Sequence, residues 1–415
     1  MAATVSSTKV AVDAVHASLR RMPYPFRAML AICSDLDETP DADVYFEIAR
    51  YLNTSQMTRI GRGLGLEVGN TIYFDMPAGQ FSYWNTNDRV RQMVHTLIHS
   101  GHIDCLHSYG DLATKRSHAE RALNELERYG SRIEAWVDHA IAPTNFGADI
   151  MHGFGDVPGH EAYHADLTCS YGVKYVWRGR ITSVIGQDSA RSLRGIWERR
   201  HITASTRTIA KEYAKSLCAR SGSAKYAMHA PNEVLRESSL RDGWKVYEFL
   251  RSNPYAGGVE NGATAGGLAD VLSPRMLKTL VAREGRCILY THLGKIRDRQ
   301  QLFAENTREA LQLLASYFEQ SAILVGTTRR MLGYCRAIRA VRNWVETSND
   351  DHVIHVDSCG LSEADCDGLT FYTDDPRRWR IMLNGNEVAV RRNPPDQTGW
   401  SSISIPWRKL EFPQL

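Results

Sequence analysis

The sequence predicts an α/β fold: a distorted (β/α) barrel of seven or eight strands with a small C-terminal β-rich domain. Three observations carry this prediction. From residue 27 onward, short apolar β-type runs alternate with longer amphipathic segments, the pattern of βα units repeated around a mainly parallel sheet. Apolar residues make up 43% and charged residues 23% of the 415, which leaves ample material for one large core and an appendage. Near residue 347 the helical pattern gives way to Asp/Gly/Pro-rich turns between short alternating runs. The expected boundaries are an extension over 1–26, the barrel over 27–345 and the β-rich domain over 346–415.

The first strand is placed at 28–34 and the first helix at 42–52. Residues 54–87 break the rhythm with the aromatic run Tyr73, Phe74, Phe81, Tyr83 and Trp84, and read as an insertion. Helix 88–100, strand 103–107 and helix 117–129 restore it; on the last, Leu123, Leu126 and Tyr129 share a face from which Asn124, Glu127 and Arg128 point away. Strands 133–139 and 173–177 follow, then a second insertion over 183–243 that contains helix 208–218. Strand 246–250, helix 274–283, strand 287–292, helix 306–319 and strand 322–325 complete the barrel. Runs at 370–372, 379–383, 387–391 and 401–405 build the tail. Insertions of this length either shape a substrate mouth or pack their own aromatics.

Composition excludes several classes. A net charge of +3 with scattered basic residues lacks the clustered Lys/Arg footprint of a nucleic-acid binder, and Arg20-Arg21, Arg199-Arg200 and Arg377-Arg378 read as solvated faces. The eight cysteines contain no Cys-x-x-Cys pair and several fall in strand-like runs, so reduced core residues are expected rather than disulfides. No stretch approaches the ~18 apolar residues of a membrane span, and the first residues contain no uninterrupted apolar leader; a cytoplasmic location is the expectation.

Chemistry collects at predicted strand ends. The first strand runs out in Ser34-Asp35-Leu36-Asp37, the second in His107-Ser108-Tyr109-Gly110-Asp111, and the sixth in Leu289-Tyr290-Thr291-His292. In a parallel α/β fold these positions share the C-terminal rim where active sites assemble. Each alone has an ordinary structural reading: a helix-capping aspartate, a hydrogen-bonded histidine. Together they supply carboxylates and imidazoles for a metal, with a spare acid and a spare base for hydrolysis.

In these motifs, over residues 27–340, the chain resembles the polysaccharide deacetylase family, also called NodB-homology or carbohydrate esterase family 4, as a divergent member. The matches are Asp35-Leu36-Asp37, the His107-Ser108 motif with Asp111 four residues on, and the late Leu-x-x-His at Leu289 to His292. The resemblance implies a deacetylase-type barrel and metal-dependent hydrolysis of an N-acetyl or other N-acyl group on an amino sugar. It implies Asp35 as general base, His292 as general acid, and Asp37, His107 and Asp111 as ligands of one divalent metal, zinc first, with manganese, iron or cobalt as alternatives.

Two departures accompany the resemblance. Asp111 stands where the family has a histidine, giving an expected set of two carboxylates and one imidazole. The family's Arg-x-Pro-Tyr-type motif, which orients the base, is missing; His139, Arg178 and Arg251 are the candidates to contact the base or the substrate. Trp84, Trp136 and Trp177 are candidate sugar-stacking surfaces, with core packing favoured for the last two. His118 reads as a surface histidine, and the stretch from His152 through His160 to His164 as a loop and helix start rather than a second metal site. The expected partner is a free, nucleotide-linked or lipid-linked amino sugar of a cytoplasmic route, such as surface polysaccharide synthesis. The alternatives are an amidase acting on a non-sugar amide with the same barrel, and a non-catalytic carbohydrate-binding or scaffold relative.

Overall fold

The structure is a computed structural model that describes residues 17–257, 261–348 and 351–415. The chain divides into two compact units: Pro25–Arg339 with Arg408–Leu415, and the described residues of Met1–Tyr24 with Ala340–Trp407.

The larger unit is α/β, built on a curled, mostly parallel half-barrel sheet. Its strands are β1 (Ala28–Ser34), β2 (Asn70–Ile72), β3 (Ile103–His107), β4 (Ala135–Val137), β5 (Tyr175–Trp177), β6 (Ile181–Thr182), β7 (Leu235–Ser239), β8 (Lys245–Phe249), β9 (Arg251–Ser252), β10 (Arg286–Thr291) and β11 (Ile323–Val325). They hydrogen-bond in the order β6-β9-β10-β1-β2-β3-β4-β5-β8-β7, with β11 alongside β1. Every pairing is parallel except the β7–β8 hairpin. Three residues separate β5 from β6, and only Leu250 separates β8 from β9, although these strands lie near opposite ends of the path. Links this short span little more than ~15 Å, so they curl the sheet toward itself.

All seven residues of β1 are buried, as expected of a strand covered on both faces. Ala28, Leu30 and Ile32 pack with Leu268, Leu277 and Leu311 from helices Ala265–Val271, Pro274–Ala282 and Glu305–Glu319. Around β3, β4 and β5, Leu106, Trp136 and Val176 pack with Leu97, Leu123 and Ala165 from helices Asp88–His99, Arg116–Arg128 and Ala165–Tyr171. Each leucine, isoleucine or valine among them contributes roughly 1.5–3 kcal/mol through burial. The caps are legible locally: Asp41 accepts from the Val44 amide at 3.0 Å to start Ala42–Asn53, and Ser273 with Pro274 starts Pro274–Ala282.

Both segments read as insertions contribute to the sheet. β2 lies within 54–87, and within 183–243 a helix at Ile202–Arg220 precedes β7. Three-residue strands are too short to display a period, which is why β2 and the two-residue β6 and β9 escape sequence reading. Helix Ala165–Tyr171 begins where the stretch ending at His164 reads as a helix start, whereas Ala265–Val271 and Thr328–Ala340 are absent from the sequence reading.

The smaller unit holds two four-stranded sheets. One is antiparallel, in the order Ser18–Leu19, Thr370–Thr373, Ser401–Ser404, Arg391–Asn393, so residues assigned to an N-terminal extension pair with the tail. The other joins Arg342–Ser348, Asp351–Asp357, Trp379–Leu383 and Asn386–Glu387, with one parallel pairing between its central strands. The expected strand at 387–391 is instead split between the ends of Asn386–Glu387 and Arg391–Asn393. Among the described residues no helix is long and apolar enough to cross a membrane, and all eight cysteines are unpaired thiols.

Candidate metal centre

Strand register brings the rim residues together. β1 and β10 pair without slip, Ser34 opposite Thr291, so Asp35 and His292 emerge side by side; the Asp35 amide donates to the Thr291 carbonyl at 2.9 Å. His107 ends β3 opposite Val137 of β4, which places His139 two residues beyond the same rim. β2 pairs Ile72 with Leu106, so Tyr73 follows level with His107.

Asp37 is the hub. Its Oδ1 accepts from the Tyr73 hydroxyl and lies 3.1 Å from His107 Nε2. Its Oδ2 lies 3.2 Å from both His139 Nε2 and His292 Nε2. Asp37, His107 and His139 each offer one ligand atom, all within 4.8 Å of one another, a group that could hold a metal ion. Burial would raise the Asp37 carboxyl, but hydrogen bonding to the three histidines holds it well below the usual carboxylate range. Among the described residues its charged partners are imidazoles, with no lysine or arginine. A half-buried carboxylate whose charged partners are titratable imidazoles is a place where a cation satisfies both sides.

Two of the three histidines are aimed by their far nitrogens. Nδ1 of His107 donates to the Val137 carbonyl at 3.3 Å and leaves Nε2 for the centre. Nδ1 of His292 donates to the Ala263 carbonyl. Nδ1 of His139 lies 2.9 Å from Asp111 Oδ1 but without hydrogen-bond alignment, and it has no other polar partner. Burial opposes charging His139, yet the Asp111 and Asp37 carboxylates raise it to about 10. His292 is likewise opposed by burial and raised by Asp37. Asn145 clamps the His139 backbone, accepting from its amide and donating to its carbonyl, both at 2.9 Å.

A backbone feature marks all three donors. The residue immediately after each one, Glu38, Ser108 and Ala140, has a positive φ of 57°, 45° and 41°. Non-glycine residues adopt this left-handed conformation at a cost of roughly 1–2 kcal/mol each, and it persists only where surroundings enforce it. Each turn sends the chain away from the rim directly after delivering a ligand atom. After His107 the turn is tightened again at Gly110 (φ 102°), where a Cβ would lie 2.2 Å from the Asp75 carbonyl oxygen.

Asp35 is set apart from this hub. Both of its oxygens accept from Arg251, at 2.7 and 2.8 Å, while Arg251 Nη2 also reaches Cys33 Sγ at 3.0 Å. The guanidinium lies 4.2 Å over the Trp177 ring and 5.4 Å over Tyr290. Burial would lower the Arg251 pKa, but Asp35 raises it, so it remains a cation. Asp35 Oδ2 lies 3.7 Å from His107 Nε2.

The other sequence-predicted residues fall at several places. Asp111, expected as the third ligand, lies 2.9 Å from His139 Nδ1, and it is His139 that joins Asp37 and His107 in the group that could hold a metal ion; between His107 and Asp111 the chain turns at Ser108 and Gly110. Arg178, a candidate to hold Asp35, pairs with Glu248 at 3.1 Å and Ser238 at 2.8 Å. Trp84 is flanked by Arg121 and Arg91 and packs on Phe74 and Tyr83. Trp136 is fully buried against Phe146, Tyr109 and His164. His118 lies half-buried at the start of its helix against Lys115, and among the described residues His152, His160 and His164 form no second metal group. Tyr73 and the Ala263 carbonyl were not foreseen; the aromatic run after residue 72 was the only signal for the first.

No protein-family model, curated protein or solved structure matches this chain.

Proposed function

We propose that the chain is a metal-dependent hydrolase that removes an N-acyl group from an amino sugar. The observation that carries this reading is the division of labour around Asp37: a two-histidine, one-carboxylate group beside a separately pinned carboxylate and a separately anchored imidazole. Binding alone would require neither of the last two. The curled α/β sheet and the order of the rim motifs support the resemblance to polysaccharide deacetylase barrels.

Asp37, His107 and His139 would hold the metal, and two imidazoles with one carboxylate suit Zn²⁺, with Mn²⁺, Fe²⁺ or Co²⁺ as alternatives. When bound, the cation polarises the amide carbonyl and acidifies water. Asp35, fixed in plane by Arg251, takes a proton from the attacking water. The water oxygen joins the carbonyl carbon and the C–N bond breaks. His292, with Nδ1 tied to Ala263, passes a proton from Nε2 to the departing nitrogen. The products are a carboxylic acid and a free amino sugar, in free, nucleotide-linked or lipid-linked form.

The test is amine release from a panel of N-acylated hexosamines and non-sugar amides by metal-loaded and metal-stripped protein. Metal-dependent release from the sugars, lost in Asp35→Asn, is expected. Release confined to non-sugar amides would move the substrate class.

A further inference from the structure

We infer that the acyl group removed is larger than acetyl, an aliphatic chain of medium length or an aromatic acyl group, received by an apolar cavity beside the metal centre. The inference rests on the hydrolase reading above. The cavity has a volume of about 540 Å³ and is walled by Ile150, Met151, Trp177, Ile181, Tyr226 and Tyr290. It adjoins the proposed machinery through shared residues. Ala263, also in its wall, carries the carbonyl that anchors His292, and the Tyr290 hydroxyl lies 3.4 Å from His292 Nε2. Trp177, only 1% exposed, borders the cavity, and Arg251, which holds Asp35, stacks on its ring.

Cations at this cavity are already matched. Arg180 Nη1 lies 2.7 Å from Asp149 and its Nε 3.2 Å from Glu248; Lys215 Nζ lies 2.7 Å from Glu212 and 2.8 Å from the Ile181 carbonyl; Lys225 is 3.8 Å from Asp149. An anionic ligand would therefore compete with carboxylates in place, whereas an apolar one meets exposed hydrocarbon and aromatic faces. A hydroxylated sugar ring is poorly suited to such walls. In an N-acylated amino sugar the apolar part next to the scissile bond is the acyl group. A methyl group displaces about as much volume as one water, about 30 Å³, so acetyl would leave nearly all of this cavity wet.

The experiment compares N-acetyl-, N-butanoyl-, N-octanoyl- and N-benzoylglucosamine with the zinc-loaded full chain, following amine release and, separately, binding by calorimetry. Burial of each added methylene should raise kcat/KM about 3-fold until the cavity fills, so octanoyl should exceed acetyl by about 100-fold or more. Met151→Trp, which narrows the cavity from a half-buried wall position, should cut the octanoyl-to-acetyl ratio about 10-fold. Acetyl cleaved as well as octanoyl, or a ratio unmoved by the substitution, overturns the inference and leaves the hydrolase reading standing. If no substrate is cleaved the hydrolase reading falls, and binding decides the cavity: tighter octanoyl binding that Met151→Trp abolishes keeps it as an apolar-ligand site, and equal binding of all four sugars removes it.

Discussion

Arg251 grips Asp35 with both terminal nitrogens, at 2.7 and 2.8 Å, and neither side chain exposes more than 2% of its surface. The pair joins strand β9 to the residue just past β1, 216 positions apart in sequence. Removing one partner of such a pair leaves a buried charge uncompensated, so Arg251→Ala should cost roughly 3–5 kcal/mol in chemical denaturation. Arg251→Lys should also lose most activity, because an ammonium cannot reproduce the two-pronged grip or the stacking on Trp177. A loss below about 1 kcal/mol for Arg251→Ala would remove the structural importance assigned to the pair.

His292 is assigned to proton delivery and not to metal binding. His292→Ala should keep the metal while lowering kcat by about 10²–10⁴-fold. Metal content and turnover measured on one preparation check this, and loss of the metal would move His292 into the ligand set.

The left-handed residues behind the ligands make a stability prediction. Ala140 is exposed and has φ 41°, so Ala140→Gly relieves strain without removing a packed side chain. It should gain up to about 1 kcal/mol, with the entropy of a more flexible unfolded chain offsetting part of the relief. Ala140→Val should lose at least about 1 kcal/mol, since a β-branched residue is a true outlier there. Thermal melts of both variants decide it; the opposite order would show the turn is not strained.

Asp104, on the β3 strand that delivers His107, accepts from the Arg329 amide at 2.8 Å and is pushed up to about 6 by burial. With a folded pKa above the ordinary value, the carboxyl favours the fold while protonated. That advantage fades as pH rises from about 4 through about 6 and is absent above. Asp104→Asn retains an acceptor for the amide, and its stability relative to the unaltered protein should improve by roughly 3 kcal/mol between about pH 4 and about pH 7. Denaturation at the two pH values tests this, and a pH-independent difference would contradict it.

Much of the centre was legible because strand ends are legible. Long apolar runs such as 28–34 and 287–292 fix where the chain leaves the sheet, and Asp35, Asp37, His107 and His292 all follow such exits. His139 was visible at the same rim, but the four-residue spacing from His107 drew the ligand role to Asp111. Spacing does not reveal that Ser108 and Gly110 both take positive φ, or that Asp111 lies 2.9 Å from His139 Nδ1. Choosing between Arg178 and Arg251 required the order of strands: Arg178 adjoins Glu248 of β8, whereas Arg251 lies on β9, next to β10 and one strand from β1. Tyr73 was hidden because the strand it follows is three residues long. In the tail, the pairing of Ser18–Leu19 with Thr370–Thr373 is a contact over some 350 residues that no local pattern encodes.

The central claim is a metal centre whose third ligand is His139. The direct measurement is metal content after identical zinc loading of the unaltered chain, Asp37→Ala, His107→Ala, His139→Ala and Asp111→Ala, with affinity by competitive chelation. Near-stoichiometric zinc in the unaltered protein, its loss in the first three variants, and retention in Asp111→Ala with affinity weakened about 10–100-fold are the predicted result. An unaltered protein that takes up no metal, or a His139→Ala variant that keeps it while Asp111→Ala does not, would contradict the account.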